Sequence, residues 1–416
     1  MQFLRDFLDS QEKHFKKGGR LEKLYPFYEA NDTLLFTPGE VTKGKTHVRD
    51  SLDLKRLMIT VVIALLPAFL MAFYNTGFQA NSLISGGQAA PLEGWRTVVY
   101  EMIFGANYAP DLIHSVVHGA LYFLPIFIMT FVIGGHVEVA SALIRGHEIN
   151  EGFLVTGFLF PLTLPPTIPL WQVGIGIAFG VIFAKEVFGG TGMNVLNVAL
   201  TGRAFLFFAY PAQISGDSVW IAADMTNGAS GAALLSHASN LDHGGMEGIA
   251  SSGWSWFDAF LGFVPGSMGE TSALAALIGA LVLALTGIGS WRTMLGVALG
   301  TTATVLLFNW AGSETNPFFN VPFYWHFVMG GWAFGMAFMA TDPVTSAFTD
   351  QGKWIYGAGI GIMVALVRVV NPAYPEGMML AILFMNMFAP FIDHFFVQAN
   401  IKRRQAGYGR IATTQA

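Results

Sequence analysis

Cysteine is absent from this 416-residue chain, and charged side chains are scarce. Without cysteine, the chain can form no disulfide, no thiolate zinc site and no cysteine-ligated iron–sulfur cluster. Any electron transfer would therefore depend on flavin, quinone or haem. Only 12% of the residues are charged, against roughly 25% in soluble domains, and the formal charge of −5 argues against a nucleic-acid partner. The sequence has no dinucleotide-binding fingerprint after a strand, so we assign no catalytic residue and no metal ligand.

Hydrophobic residues, in contrast, make up 53% of the sequence, and glycine is abundant. Small residues allow helices to pack closely in lipid. The first 55 residues are polar and end in the charged run 43–56, so we expect no cleavable signal peptide before the first apolar stretch. The first membrane span should therefore be a permanent anchor in the lipid bilayer.

Ten apolar runs are long enough to cross a bilayer, some of them with a Pro or Gly break. They fall at about 56–77, 114–144, 152–168, 170–187, 194–210, 270–288, 291–310, 324–340, 354–371 and 378–398. The sequence thus predicts an all-α polytopic membrane protein with about ten transmembrane helices.

The distribution of Lys and Arg predicts how these spans are oriented. Basic residues are concentrated before the first run and after the last, which places both termini in the cytoplasm and requires an even number of spans. Residues 211–269 and 311–323 contain no Lys or Arg, as expected for outer loops, and Arg96 is the only basic residue placed outside.

A sequence pattern recurs in the two halves. The motif Gly-Ile-Gly-Ile at 174–177 is repeated at 359–362, an offset of 185 (359 − 174), and Gly192-Met193 is matched by Gly377-Met378 at the same offset. The motifs lie five helices apart, and an odd separation gives the halves opposite topology. The alternative is a chance match between Gly-rich apolar helices. Two inverted five-helix repeats would place a functional site near their pseudo-twofold axis, where broken helices meet.

The predicted chain then has five parts. They are a cytoplasmic N-terminal segment 1–55, a first five-helix membrane repeat 56–210, a periplasmic loop 211–269, a second five-helix membrane repeat 270–398 and a cytoplasmic C-terminal tail 399–416. The loop is rich in small residues, with the run 227–233 in its middle, a composition typical of a flexible linker.

Glu138, Asp342 and Asp393 are carboxylates that fall within or beside apolar runs. A carboxylate at membrane depth costs roughly 2.5 kcal/mol or more, so each should face a partner or a cation path. The alternative is that they cap backbone NH groups near helix ends or meet Lys and Arg. Glu138 is the best candidate for an ion path.

A Gly-rich turn, 185–192, joins the fourth and fifth predicted spans, and Asn194 and Asn197 follow at i, i+3, on one face of the fifth helix. Glycine backbone can approach a phosphate or a flat ring closely, and amides suit the edge of an isoalloxazine or a quinone. The alternative is a packing turn between short helices.

His118, His136, His326 and His394 lie in or near the spans. They are not arranged as repeated pairs on shared faces, so single hydrogen-bonded histidines are favoured over a pair of haem ligands.

The sequence resembles the B subunits of bacterial sodium-translocating NADH:quinone reductases over essentially its whole length, and the D subunits of Rnf complexes share the fold. The stretches that carry the resemblance are 47–50, 53–56, 185–197, 202–217, 340–343 and 368–381. The long N-terminal segment favours the quinone reductases over the Rnf complexes.

The resemblance implies a complex of six subunits in the bacterial inner (cytoplasmic) membrane, so that this chain would have five other subunits as partners. Such a complex oxidises NADH elsewhere, passes electrons through flavins, reduces ubiquinone and exports sodium. This chain would hold FMN on the outer side and riboflavin nearer the inner side at Asn194 and Asn197, with Arg203 in the same flavin region. Ubiquinone would bind near Gly134 and Gly135. The acidic residues that the family ties to sodium match Glu29, Glu138, Glu270, Asp342 and Asp393.

One departure from the family pattern concerns FMN. Family members carry Asp-Gly-x-Ser-Gly-Ala-Thr, whose Thr accepts FMN through a phosphoester bond, but here Asn227 replaces the Asp and Ala233 replaces the Thr. Alanine has no hydroxyl, so that bond cannot form at this position. FMN either sits at Ser230, Gly231, Ala232 and Ala233 without a covalent link, or Ser230 or Ser236 substitutes, or this electron step is altered. We favour non-covalent or absent FMN.

The rival interpretation is a secondary transporter or channel without redox activity, because inverted repeats of five helices also build carriers. Flavin absorbance of the purified protein discriminates between the two. A haem-bearing component of a quinone oxidase is a third interpretation and would need a sharp Soret band.

Overall fold

The computed structural model of the chain describes residues 2–16, 18–25, 28, 32, 36, 54–145, 152–214, 221, 233–371 and 376–414. Within these residues the chain forms helices joined by turns, with no β-strand, which confirms the predicted all-α class.

Sixteen α-helices follow one another in these parts of the chain. They are α1 Gln2–Phe15, α2 Leu54–Ser85, α3 Trp95–Phe104, α4 Leu112–Arg145, α5 Gly152–Leu162, α6 Leu170–Phe179, α7 Val198–Ala209, α8 Ala233–Ser239, α9 Gly245–Ser251, α10 Trp256–Leu261, α11 Ala273–Leu285, α12 Trp291–Ala311, α13 Phe323–His326, α14 Trp332–Phe334, α15 Asp350–Val370 and α16 Met378–Thr414. Two of them continue as π-helical segments: α6 through Gly180–Lys185 and α14 through Gly335–Met339.

Six helices in the described part of the chain are long and apolar enough to cross a membrane. These spans are Arg56–Ser85, Leu112–Arg145, Leu170–Phe188, Trp291–Ala311, Asp350–Val370 and Met378–Ala406. The shorter α5, α7 and α11 are also apolar. The chain is therefore a multi-pass membrane protein, while the count of ten spans stays a prediction.

Side chains that precede the helices determine where several of them begin. Ser272, Ser290 and Thr349 each accept a hydrogen bond from a backbone NH in the first turn of α11, α12 and α15. Asp111, just before α4, accepts from the backbone NH of His114 at 2.9 Å, and this bond holds the pKa of its carboxyl below the usual value.

Glycine allows the long helices to approach each other closely. A side chain at Gly77 of α2 would overlap the backbone of Ser115 in α4, and one at Gly119 would overlap the backbone of Phe73. The same holds for Gly357, which packs on the backbone of α12. The abundance of glycine thus reflects backbone-to-backbone packing of membrane helices.

Three features differ from the sequence predictions. The loop 211–269 contains α8, α9 and α10, and Leu235, Ala238 and Ala259 are fully buried, so a flexible linker was the wrong prediction for this part. The last helix runs to Thr414, beyond the predicted end of the span at 398. The apolar run 324–340 forms two pieces, α13 and α14, with a break at 327–331.

Candidate functional site

A cavity lies where α2, α5, α7, α11 and the segment after α14 meet. Its walls are largely apolar, and polar side chains enter from the turns between helices. The lining residues that carry polar side-chain groups are Thr156, Lys185, Thr191, Asn194, Asn197, Thr341 and Asp342.

Asn194 and Asn197 both line this cavity, so the structure brings the predicted pair together. They do not lie on the fifth helix, as the spacing predicted, because α7 begins only at Val198. Asn197 is instead the residue that caps α7, since its Oδ1 accepts from the backbone NH of Leu200 at 3.1 Å. Asn194 Nδ2 donates to the carbonyl of Leu196 at 3.2 Å.

The Gly-rich turn before these asparagines needs its glycines. Gly189, Gly190 and Gly192 have φ values of +125°, +96° and +87°, which side-chain-bearing residues rarely adopt. This backbone leads the chain from the end of the fourth predicted span back to the cavity. Nearby, Thr191 Oγ1 is buried and has no hydrogen-bond partner among the described residues.

Asp342 also lines the cavity and is held by three donors. Asn197 Nδ2 donates to its Oδ2 at 3.1 Å, Thr345 Oγ1 donates to the same oxygen at 3.0 Å, and the backbone NH of Val344 donates to its Oδ1 at 3.0 Å. The carboxylate therefore fixes a turn, as the capping alternative predicted, and at the same time faces the cavity.

Glu138 pairs with Lys185, the last residue of the π-helical segment after α6. Lys185 Nζ lies 2.5 Å from Glu138 Oε1, and both side chains are almost fully buried. The next residue, Glu186, lies 3.7 Å from Arg145 at the end of α4. These contacts thus support the alternative stated for Glu138, in which its carboxylate pairs with a Lys or Arg.

Gly134 and Gly135 lie on α4 but do not line the cavity. A side chain at Gly134 would collide with Phe153 and Ile177, whereas a side chain at Gly135 would have no neighbour within 4 Å. The former glycine is needed for packing, and the latter faces open space. A quinone site near them stays a prediction.

Arg203 lies in a separate cluster, not with the asparagines as predicted. Its Nη2 donates to Ser267 Oγ at 3.2 Å and lies 3.6 Å from Glu270 Oε2. Glu270 in turn packs against Gly331, where a Cβ would come within 2.9 Å of the carboxylate. Predicted flavin and sodium residues are therefore in contact here.

Sequence reasoning missed two residues at the helix break between α13 and α14. Glu376 Oε1 accepts from the backbone NH of Gly331 at 2.7 Å. Arg368 is fully buried and donates to the carbonyls of His326, Met329 and Glu376 at 2.6, 2.9 and 3.0 Å. The available signal was a single arginine in the apolar ninth run, together with a glutamate in the turn that follows it.

Asp393 of α16 has a capping role. It accepts from the backbone NH groups of Phe348 and Thr349 at 2.6 and 3.0 Å, and from Thr349 Oγ1 at 2.5 Å. These contacts attach α16 to the start of α15.

The histidines differ in their contacts. His118 Nδ1 lies 2.7 Å from Asn81 Oδ1 and His136 Nδ1 lies 2.6 Å from the carbonyl of Val132, which confirms single hydrogen-bonded rings for these two. His326 is buried with neither ring nitrogen hydrogen-bonded within the described residues, so the prediction was wrong there. His394 is exposed.

Several predicted site residues lie outside the described residues: Glu29, Ser230, Gly231 and Ala232. Ala233 is the first residue of α8.

Comparison with known proteins agrees with the sequence resemblance. The model of the NQR2, RnfD, RnfE family matches residues 41–402. The chain is 58% identical to the B subunit of the Na(+)-translocating NADH-quinone reductase of Chromohalobacter salexigens over 401 residues, which is 96% of each chain. It is also 58% identical to the protein of that name in Pseudomonas aeruginosa, over 98% of this chain and all of the relative, and 57% identical to that of Azotobacter vinelandii, over 97% and 99%. The chain therefore belongs to the NQR2, RnfD, RnfE family.

Proposed function

We propose that this chain is the B-type membrane component of a sodium-translocating NADH:ubiquinone oxidoreductase of the bacterial inner membrane. It would assemble with five other subunits, relay electrons through flavin to ubiquinone and couple this transfer to the export of sodium. The relatives' names and the near-complete coverage support the complex. The cavity at Asn194 and Asn197 is the observation that supports a cofactor in this chain.

Riboflavin fits the chemistry of this cavity. An isoalloxazine has flat apolar faces and an edge of donors and acceptors, which the apolar walls and the amide side chains complement. Asn194, Thr191 and Lys185 would hold it, and Thr191 Oγ1 is a buried polar atom that needs a partner. When bound, riboflavin supplies a carrier that accepts and passes on electrons. The chain's own part is to exclude water and to place an ammonium group and amides in the wall.

Covalent FMN does not fit position 233. A phosphoester bond needs a hydroxyl group, and Ala233 has none. We therefore propose that FMN is held without a covalent link or is absent from this chain. A fluorescent flavin band for this chain on a denaturing gel, mapped by peptide analysis to residues 227–236, would contradict this proposal.

The ten-span topology with inverted repeats is also proposed. It is supported by matched pairs of helices: α4 packs on α6 as α12 packs on α15, and α6 packs on α7 as α15 packs on α16. Contacts of α2 with α11 and of α7 with α16 would then lie across the pseudo-twofold axis. With both termini in the cytoplasm, the loop 211–269 would be periplasmic.

The sodium path would use the acidic residues Glu29, Glu138, Glu270, Asp342 and Asp393. The helix break beside Glu270 and Glu376 supports a path there, because broken helices expose backbone groups that interact with ions. Ubiquinone would bind near Gly134 and Gly135, on the open side of α4.

The experiment is flavin analysis of the purified complex and of its Asn194→Ala variant, with Asn240→Ala as a control at an exposed loop position. Loss of one hydrogen-bonding group in a buried site costs about 1–3 kcal/mol, so we expect riboflavin binding to weaken by roughly 5- to 150-fold. The control should retain its riboflavin. A colourless complex, or equal riboflavin content in all three proteins, would contradict the proposed function. A colourless protein that transports a solute would support the transporter interpretation.

A further inference from the structure

Lys185 belongs to two features of the molecule at once. It lines the cavity, and its Nζ lies 2.5 Å from Glu138 Oε1, with 4% and 6% of the two side chains exposed. Removing one member of a buried ion pair leaves an uncompensated charge, which is strongly unfavourable. While the ammonium of Lys185 lies beside Glu138, it neutralises the carboxylate, so a sodium ion is not required there.

The cavity gives the ammonium of Lys185 a second position, as an alternative to its position beside Glu138. Among the described residues that line it, Lys185 and Asp342 are the ionisable ones, and Asp342 already accepts hydrogen bonds from three donors. Negative charge added inside the cavity would therefore meet one cation in the wall, the ammonium of Lys185. Away from water, unit charges a few ångströms apart interact strongly.

The local backbone suits a lysine with two positions. Lys185 ends the π-helical segment Gly180–Lys185, and its φ of −118° and ψ of −64° depart from α-helical values. Such segments occur frequently at functional sites. The flexible four-carbon stem of lysine can turn its ammonium without moving the helix.

We propose that Lys185 is a redox-responsive counter-charge that exchanges with sodium at Glu138; this rests on the redox role proposed above. Oxidation of one NADH to NAD⁺ elsewhere in the complex releases two electrons and one proton, and the electrons pass through this chain one at a time. Each electron that enters the cavity brings one negative charge, the ammonium of Lys185 turns towards it, and one sodium ion takes its place at Glu138. When that electron leaves for ubiquinone, Lys185 returns to Glu138 and the sodium ion is released; two such cycles reduce one ubiquinone, which takes up two protons from water. Charge balances at each step, and the affinity of Glu138 for sodium differs between redox states, as coupling requires.

The test counts sodium ions bound to the purified complete complex by equilibrium binding of radioactive sodium. Oxidised complex is compared with complex reduced anaerobically by the potassium salt of NADH, without quinone. We expect the reduced complex to bind one sodium ion more at Glu138. Lys185→Gln should bind that ion in both states, and Glu138→Gln should bind it in neither. A redox-dependent ion that persists unchanged in Lys185→Gln would overturn the proposal.

Two further variants control for folding and for nonspecific charge effects. Lys185→Gln combined with Glu138→Gln removes both charges, so it should assemble and should lack the ion in both states; a redox-dependent ion at full occupancy there would contradict the role of Glu138. Arg145→Gln removes the partner of the adjacent Glu186 and should retain the behaviour of the unmodified complex. Loss of the redox-dependent sodium ion in Arg145→Gln would mean that any nearby change of charge abolishes its binding, and would contradict a specific role of Lys185.

The flavin spectrum separates this proposal from the proposed function. If NADH bleaches flavin absorbance but the number of bound sodium ions does not change, the role of Lys185 is wrong and the relay function stands. If the unmodified complex has no flavin absorbance to bleach, the proposed function itself fails.

Discussion

Asn197 and Asp342 join two segments that are 145 residues apart in the sequence. The amide Nδ2 of Asn197 donates to Asp342 Oδ2 at 3.1 Å, while its Oδ1 caps α7 through the NH of Leu200. One side chain thus positions both the start of α7 and the turn at 342–345, and residues of both segments line the cavity. The shape of the cavity depends on this contact.

Substitutions of Asn197 should separate its two roles. Serine can cap α7 but is too short to reach Asp342, so Asn197→Ser should cost about 1 kcal/mol of stability. Aspartate also caps but replaces the donor by a second carboxylate beside Asp342, so Asn197→Asp should cost about 2–3 kcal/mol and release riboflavin. Thermal unfolding of the complex and its riboflavin content check both expectations. Equal effects of the two variants would contradict the expected cost of a second carboxylate beside Asp342, and full stability of Asn197→Ser would show that the contact with Asp342 contributes nothing.

Gly134 and Gly135 form a matched pair for the quinone prediction. A Cβ at Gly134 would collide with Phe153 and Ile177, so Gly134→Ala should destabilise the protein by about 1–3 kcal/mol. Gly135→Ala adds a methyl group to open space and should leave the melting temperature unchanged. A quinone close to this face predicts a raised KM for ubiquinone in Gly135→Ala. An unchanged KM for ubiquinone in Gly135→Ala would show that the quinone site does not lie beside this face of α4.

Arg368 should be essential for assembly, in contrast to an arginine at the surface. It is fully buried and donates to three carbonyls at the break between α13 and α14, so Arg368→Met leaves buried acceptors unpaired and should cost about 3 kcal/mol or more. Arg292 is the control, because it lies 3.4 Å from Asp350 with 34% and 62% of the side chains exposed. Arg292→Met should change stability by less than about 1 kcal/mol. The yield of intact complex in size-exclusion chromatography measures the difference, and equal yields would contradict it.

The long helices were predictable because lipid demands continuous apolar segments. The run 291–310 became α12, Trp291–Ala311, almost residue for residue. The break at 327–331 was not predictable in this way, because α13 and α14 are both apolar and hydropathy does not register a break between them. The break depends on Gly330 and Gly331, which pack against the carboxylates of Glu376 and Glu270 from distant segments.

The candidate site was predictable only in part, for a related reason. Asn194 and Asn197 follow a glycine turn in the sequence, so their proximity is local and the spacing indicated it. The pairing of Lys185 with Glu138 joins residues 47 apart, and that of Asn197 with Asp342 joins residues from distant segments. Local periodicity carries no information on such pairs. Arg203 illustrates the limit, since it follows the asparagines closely but contacts Glu270.

The absence of cysteine makes the proposed topology directly testable. A single cysteine in this chain is its only thiol, so labelling by a membrane-impermeant maleimide reports one position. Leu241→Cys lies in the loop 211–269, where Leu241 is 53% exposed, and Lys402→Cys lies on the exposed end of α16. In intact spheroplasts we expect the band of this chain to be labelled in Leu241→Cys and not in Lys402→Cys. Inverted vesicles should give the reverse pattern, and the unmodified chain should stay unlabelled in both. Labelling of both positions from the same side would require an odd number of spans to be added or lost between them, and would place the loop and the C-terminal end on one face of the membrane.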